Sequence, residues 1–200
     1  MNEFNINRPP ARWEWRVFQP TPFPMDMLPS DLEYVRSVES EEQYLVGEDV
    51  GNNLKIRFSM VDLKQLQTVT RDGVQLWDLM YKAEFPVLNP DIQALIKLLP
   101  AFEGLKELES IDHQKFIAYA TEKAGFQLVR VVKDRNVYRH GTTGFDLVRA
   151  TMNGRTFFSA SCEDPDQQKV RGWAQSMEFE PDTNTSYIQA IHNYDLLKGN

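Results

Sequence analysis

Lysine and arginine side chains recur at alternate positions in several short segments, where they could act together on one anion. Lys55 and Arg57 are separated by one residue in one strand candidate, and Lys133 and Arg135 have the same spacing in another. Side chains two positions apart lie on the same face of a β-strand, so each pair presents two positive charges side by side. Arginine offers a planar fork and lysine a point charge to phosphate oxygens. The spacing therefore predicts phosphate binding.

The same residue types extend the predicted site to other segments. The predicted phosphate-binding residues are Arg16, Lys55, Arg57, Lys64, Lys82, Lys133, Arg135 and Arg155. The candidate metal ligands are the acidic residues Glu14, Glu84, Asp146 and Glu163. Sets of carboxylate oxygens favour magnesium or manganese, which would neutralise a phosphoryl group and orient a water for attack. Glu14 and Glu163 are the candidate catalytic residues of such a reaction.

Alternation of apolar and charged residues is the main structural signal in the chain. Trp13 and Trp15 share one side of the first strand candidate, opposite a charged side. In residues 77–85, an apolar face that begins with Trp77 opposes Lys82 and Glu84. Glu39, Glu41 and Glu42 form an acidic run, which is interpreted as a solvated loop or helix end.

Four helices are predicted between the groups of strands. They start at Asn89, Asp112, Asp164 and Tyr187. Capping residues or proline mark the first three starts, and apolar residues at helical spacing mark the fourth. Strands outnumber helices, which favours an α+β fold whose antiparallel β-barrel forms a tunnel with helices packed outside. One domain over 1–200 is predicted, with a proline-rich crossing loop at 18–30 and a C-terminal helical region at 165–198.

The charged faces of the strands could point to either side of such a barrel. Solvent is the usual place for charged side chains, and this is the simplest interpretation for any single strand. The apolar faces, however, carry bulky residues that would pack well under external helices. The basic faces would then point inward, where confined cations need an anion or interleaved carboxylates to neutralise them.

Composition limits the classes of function that fit the chain. It has 200 residues, a net charge of -7, one cysteine and three histidines. Cys162 is interpreted as a buried structural thiol, and a disulfide or a zinc site rich in Cys or His is excluded. The acidic balance argues against nucleic-acid binding, and no apolar run suits a membrane span. The expected protein is cytoplasmic and binds a small phosphorylated ligand, and its oligomeric state stays open.

The ordered series of motifs resembles the CYTH, or triphosphate tunnel metalloenzyme, superfamily over about residues 12–165. Arg12-Trp13-Glu14-Trp15-Arg16 is similar to the Glu-x-Glu-x-Lys signature strand, with Arg12 in place of the first metal-binding Glu. The later motifs that resemble the family's basic and acidic strands are 54–57, 62–64, 81–85, 132–135, 145–146 and 161–164. The resemblance implies a tunnel barrel, a triphosphate or related substrate, and Mg or Mn held by the acidic residues.

Three functions follow from these patterns. The first is metal-dependent hydrolysis of a triphosphate or related phosphorylated small molecule. The second is a phosphate-binding or sensory module without catalysis, in which Arg12 substitutes for metal charge. The third is a structural or interaction domain whose basic faces are solvated. Position 12 discriminates between the first two, because an extra cation there repels the ion.

Overall fold

The computed structural model describes residues 9–194. The strands of this part are β1 (Arg12–Gln19), β2 (Glu33–Val46), β3 (Asn52–Arg57), β4 (Met60–Val69), β5 (Gln75–Glu84), β6 (Val87–Leu88), β7 (Ser110–Ile111), β8 (Gln127–His140), β9 (Thr143–Met152) and β10 (Arg155–Asp164). Its α-helices are α1 (Asn89–Leu98), α2 (His113–Glu122), α3 (Gln167–Ser176) and α4 (Tyr187–Asn193). Within the described range, no helix combines the length and the apolar character that crossing a bilayer requires.

Eight of these strands close into an antiparallel barrel in the order β1, β10, β9, β8, β2, β3, β4 and β5. β1 pairs with β10 from Trp13 opposite Asp164 to Gln19 opposite Phe158. Its other edge meets β5 through three residue pairs, as few as join β2 to β3, so these are the two shortest pairings of the ring. β6 and β7 form a separate two-stranded sheet. The predicted α+β class with an antiparallel barrel and external helices is confirmed.

The barrel strands bury their apolar faces under the helices on the outside. Trp15 of β1 packs in one cluster with Val170 of α3. Cys162 lies in the same cluster, and burial raises the pKa of its thiol to about 12. On another side, Leu63 of β4 belongs to a cluster with Ile92 of α1. Because side chains alternate along each strand, this packing turns the charged faces into the barrel.

One end of the barrel is filled by apolar side chains of α4. Ile188 and Ile191 are fully buried in a cluster that includes Met152 of β9. A capping box starts the helix: the Ser186 hydroxyl accepts from the Gln189 backbone, and the Gln189 side chain accepts from the Ser186 backbone. Such a box satisfies two backbone donors that a helix start leaves free. The interior of the barrel is therefore closed at the α4 end.

A single asparagine ties the segment before α4 to the short pairing between β1 and β5. Asn184 Oδ1 accepts a hydrogen bond from the Arg16 backbone at 2.9 Å. Asn184 Nδ2 donates to the backbone carbonyls of Glu14 at 3.0 Å and Gly73 at 2.8 Å. These bonds satisfy backbone groups at the point where the pairing between β1 and β5 ends.

Two local expectations are corrected by the structure. Residues 39–42 belong to β2 and form no loop or helix end, and Glu42 is only 2% exposed. The third helix begins at Gln167, and its cap is Asp166, two residues after the expected Asp164. Asp164 is the last residue of β10, where its carboxylate accepts hydrogen bonds from two threonine hydroxyls.

β5 departs from strict alternation of its two faces. Leu63 pairs with Tyr81, and the next residue of β4, Lys64, pairs with Leu79. At this point β5 therefore has one extra residue, Met80. A bulge of this kind changes the face on which the neighbouring side chains lie. Trp77 and Leu79 consequently line the interior together with Lys82, although the sequence pattern placed Trp77 on the outer apolar face.

We expect Asn184→Ala to lower the free energy of unfolding by about 2–4 kcal/mol, because three backbone groups at a partly buried seam lose their partner. The matched control is Thr183→Ala, whose exposed hydroxyl donates only to the Glu180 carbonyl and whose loss should cost less than about 1 kcal/mol. Urea unfolding followed by circular dichroism measures both values. Equal losses in the two variants would contradict the role given to Asn184.

Candidate functional site

A cavity of about 360 Å³ lies inside the barrel, and all eight barrel strands contribute to its wall. Its cationic lining residues are Arg16, Arg36, Lys55, Arg57, Lys64, Lys82, Lys133 and Arg135. Its acidic lining residues are Glu14, Glu42, Asp62, Asp146 and Glu163. The described wall is therefore positively charged in a chain whose net charge is -7.

Glu42 is the acid around which several of these cations are arranged. Its Oε2 lies 2.8 Å from Lys133 Nζ and 3.5 Å from Lys55 Nζ, and its Oε1 lies 3.6 Å from Arg57 Nη1. The Tyr44 hydroxyl donates to Oε2 at 2.9 Å. Burial opposes ionisation, but the three cations hold the pKa of Glu42 well below its usual range. One negative charge thus serves three positive ones.

Lys133 lies in a buried, aromatic part of the cavity. Its Nζ donates to Glu42 Oε2 and to the Tyr44 hydroxyl, both at 2.8 Å. The same nitrogen is 3.6 Å from the centre of the Tyr187 ring. Burial and the neighbouring cations, Lys55 among them, lower the pKa of Lys133 to about 7 in spite of the contact with Glu42. This amine therefore changes its protonation state near neutral pH.

The side of the cavity formed by β1, β9 and β10 carries three carboxylates, and we call these residues, Glu14, Asp146 and Glu163, the balanced wall. Each of them contacts one arginine. The contacts are Arg16 Nε to Glu14 Oε1 at 2.9 Å, Arg135 Nη1 to Asp146 Oδ2 at 3.4 Å, and Arg12 Nη1 to Glu163 Oε1 at 3.8 Å. Burial raises the pKa of Glu14, but Arg16 and Lys64 outweigh it, so the pKa lies below its ordinary value.

The strands β2 to β5 carry the surplus of positive charge. Glu42 already contacts three cations. Asp62, the other acid on this side, is 5% exposed. No carboxylate in residues 9–194 lies within 4.0 Å of the charged nitrogens of Arg36, Lys64 or Lys82. Lys64 is half-buried and Arg36 and Lys82 are exposed, so all three can reach an anion that enters the cavity. This side of the cavity is suited to anionic groups.

The four predicted metal ligands do not form a metal centre. Glu84 is exposed at the end of β5, where the strand reaches the edge of the barrel, and lies outside the cavity wall. The other three each contact a guanidinium, whose charge opposes a second cation. In the described part of the chain, no group of three or more His, Cys, Asp or Glu side chains could hold an ion. The donor set therefore does not fit Mg or Mn.

The structure brings most of the predicted site residues together. Those that line the cavity are Glu14, Arg16, Lys55, Arg57, Lys64, Lys82, Lys133, Arg135, Asp146 and Glu163. Glu84 and Arg155 lie outside it. Arg155 is on the end of β10 that α4 covers, and its Nη1 donates to the Tyr194 carbonyl at 2.9 Å. The structure therefore does not bring Arg155 together with the other predicted phosphate-binding residues.

Several lining residues were not found from the sequence. Glu42 and Tyr44 have the same two-residue spacing as the predicted cations, but the surrounding glutamates hid their separate face. Arg36 lies near the start of the same strand. Tyr187 reaches the cavity from the first turn of α4, and no local pattern relates a helix residue to a distant strand.

Comparison with known proteins gives structural likeness only. No protein-family model and no curated protein matches the sequence. One similar solved structure is a Pyrococcus horikoshii protein, 11% identical, covering 88% of this chain and 97% of that chain with a TM-score of 0.48. A conserved hypothetical protein from Pyrococcus furiosus is 14% identical, with coverages of 88% and 98% and a TM-score of 0.47. A Bacillus halodurans protein described as a "putative adenylate cyclase" is 8% identical, with coverages of 91% of this chain and 98% of that chain and a TM-score of 0.43. At these values the likeness carries no functional conclusion.

We expect Glu42→Gln to lower the free energy of unfolding by about 3–5 kcal/mol at neutral pH, because three cations lose their shared acid. Glu41→Gln is the matched control, since this neighbour is exposed on the other face of β2, and it should cost less than about 1 kcal/mol. Denaturant unfolding measures both.

The pH dependence gives a second check on Glu42. Its folded-state pKa is lowered, so the stability it contributes is present above its unfolded pKa of about 4.3 and is lost as the pH falls. The difference in stability between the wild type and E42Q should therefore shrink as the solution becomes more acidic. A difference that stays constant in acid would contradict the ion-pair explanation.

Proposed function

We propose that the barrel cavity binds a small molecule that carries a triphosphate or a related chain of phosphates. The observation that carries this proposal is the surplus of positive charge on β2 to β5, where Arg36, Lys64 and Lys82 have no carboxylate within 4.0 Å among the described residues. A chain of phosphates supplies several negative charges at short spacing. Its oxygens accept the charge-assisted hydrogen bonds that lysine and arginine donate.

The size and enclosure of the cavity support a small ligand. Its volume of about 360 Å³ lies in the range of roughly 300–1,000 Å³ that is usual for small-molecule sites. The α4 cluster closes one end, so access is from the opposite end of the barrel. There the Arg12 and Glu163 side chains are 36% and 40% exposed.

The resemblance to CYTH proteins in the order of the basic strands supports the same class of ligand. The metal-dependent hydrolysis that the resemblance also implies requires an ion held by carboxylates, and the donor set does not fit one. Binding or sensing of the ligand is therefore favoured over metal-dependent hydrolysis. Release of phosphate from tripolyphosphate, measured with and without Mg²⁺, distinguishes the two functions. Turnover that Mg²⁺ stimulates and that Glu14→Ala abolishes would support metal-dependent hydrolysis.

We expect tripolyphosphate to bind the wild-type protein, and Lys64→Met to weaken this binding roughly tenfold, the equivalent of one charge-assisted hydrogen bond. Lys97→Met makes the same chemical change on the exposed face of α1 and should leave affinity unchanged. Isothermal titration calorimetry measures both. Absence of tripolyphosphate binding, or equal loss in the two variants, would refute the proposed site.

Affinity for tripolyphosphate should also depend on the protonation of Lys133. Its folded-state pKa of about 7 lies below the unfolded value, and an anion favours the protonated amine. The advantage of the wild type over Lys133→Met in binding should therefore be greatest below about pH 7 and should fall as the pH rises through it. Protonation of tripolyphosphate itself changes with pH in the same way in both experiments, so the ratio of affinities isolates the effect of Lys133. A ratio of affinities that does not change with pH would rule out this role.

A further inference from the structure

We propose that arginines replace a divalent metal in this cavity, and that Arg12 is the residue that keeps the ion out. The statement about ligand binding rests on the proposed function, whereas the statement about metal exclusion does not. Three carboxylates form the balanced wall, and carboxylate oxygens beside a phosphate ligand ordinarily attract a divalent ion. In this protein a guanidinium contacts each of them.

Arg12 stands beside two carboxylates of neighbouring strands. Glu14 and Glu163 are directly opposite each other in the pairing of β1 with β10. Arg12 is two residues before Glu14 and so lies on the same face of β1. Its Nη1 is 3.8 Å from Glu163 Oε1, and both side chains are more than a third exposed. The guanidinium thus places a fixed positive charge at the solvent-accessible end of the acidic set.

The other two carboxylates are held from within the barrel. Arg16 donates to Glu14 through Nε at 2.9 Å and to Ser159 Oγ through Nη1 at 3.1 Å, so its position is fixed at two points. Arg135 Nη1 donates to Asp146 Oδ2 at 3.4 Å. A divalent ion that bound these oxygens would meet a guanidinium at each one. Like charges about 4 Å apart oppose such binding roughly tenfold or more for each contact.

The phosphate ligand has no need of a bridging ion, because its charge meets side chains directly. Lys64 and Arg57 lie on the cation-rich side of the cavity and supply this charge. An arginine cannot lose its proton in the physiological range, so the positive charges that contact the balanced wall are permanent. Ligand affinity should therefore be the same whether or not divalent metal is present.

Binding of Mn²⁺ to the protein without any phosphate ligand tests metal exclusion. The wild type should show no saturable Mn²⁺ binding by electron paramagnetic resonance. R12E adds a third carboxylate beside Glu14 and Glu163 and should raise Mn²⁺ affinity roughly tenfold or more. R12Q removes the cation without adding an acid, so its gain should be smaller. Saturable Mn²⁺ binding by the wild type, or a folded R12E no better than the wild type, overturns the proposal.

Circular dichroism shows whether R12E is folded. If it is not, R12Q decides the question: a gain in Mn²⁺ affinity supports the proposal and an unchanged affinity overturns it. Calorimetric titration with tripolyphosphate in EDTA, and again with Mg²⁺ after correction for the ligand's own binding of the ion, tests the other statement. Affinity that requires Mg²⁺ overturns metal-free binding. No binding in either buffer refutes the proposed function and leaves the Mn²⁺ result standing.

Discussion

Confinement of like charges inside a closed barrel is the constraint on which the rest of the structure depends. Repulsion among buried cations would open the barrel if nothing neutralised them. Glu42 supplies the central compensation, because Lys55, Arg57 and Lys133 all lie within 3.6 Å of its carboxylate. The external clusters supply the packing energy that an interior lined with charge cannot. Two hydrophobic clusters therefore lie outside the sheet, and a third closes one end of an interior whose remaining part is charged.

The sequence predicted the direction of most faces because strand geometry is local. Trp15 and Glu14 must lie on opposite sides of β1, and bulky tryptophan favours the side that helices cover. Prediction failed where a non-local event changed the local rule. The bulge in β5 turned Trp77 inward, and the position of α4 placed Arg155 outside the cavity although it shares a face with Glu163. Glu42 was hidden because neighbouring glutamates gave it the appearance of a solvated run.

Each carboxylate of the balanced wall is paired with a side chain whose charge is permanent. A metal ion is exchangeable and depends on its concentration in solution, whereas a guanidinium is covalently part of the chain and always charged. Arg12, Arg16 and Arg135 thus neutralise their carboxylates at all times. The contrast with Lys133 is informative, because its pKa of about 7 makes it the cavity cation whose charge responds to mild changes of pH.

The apolar side chains of α4 close the barrel interior at one end, so the cavity opens only at the other. A ligand of the proposed kind would therefore enter and leave through the same opening. A long chain of phosphates could enter such a space only by one of its ends.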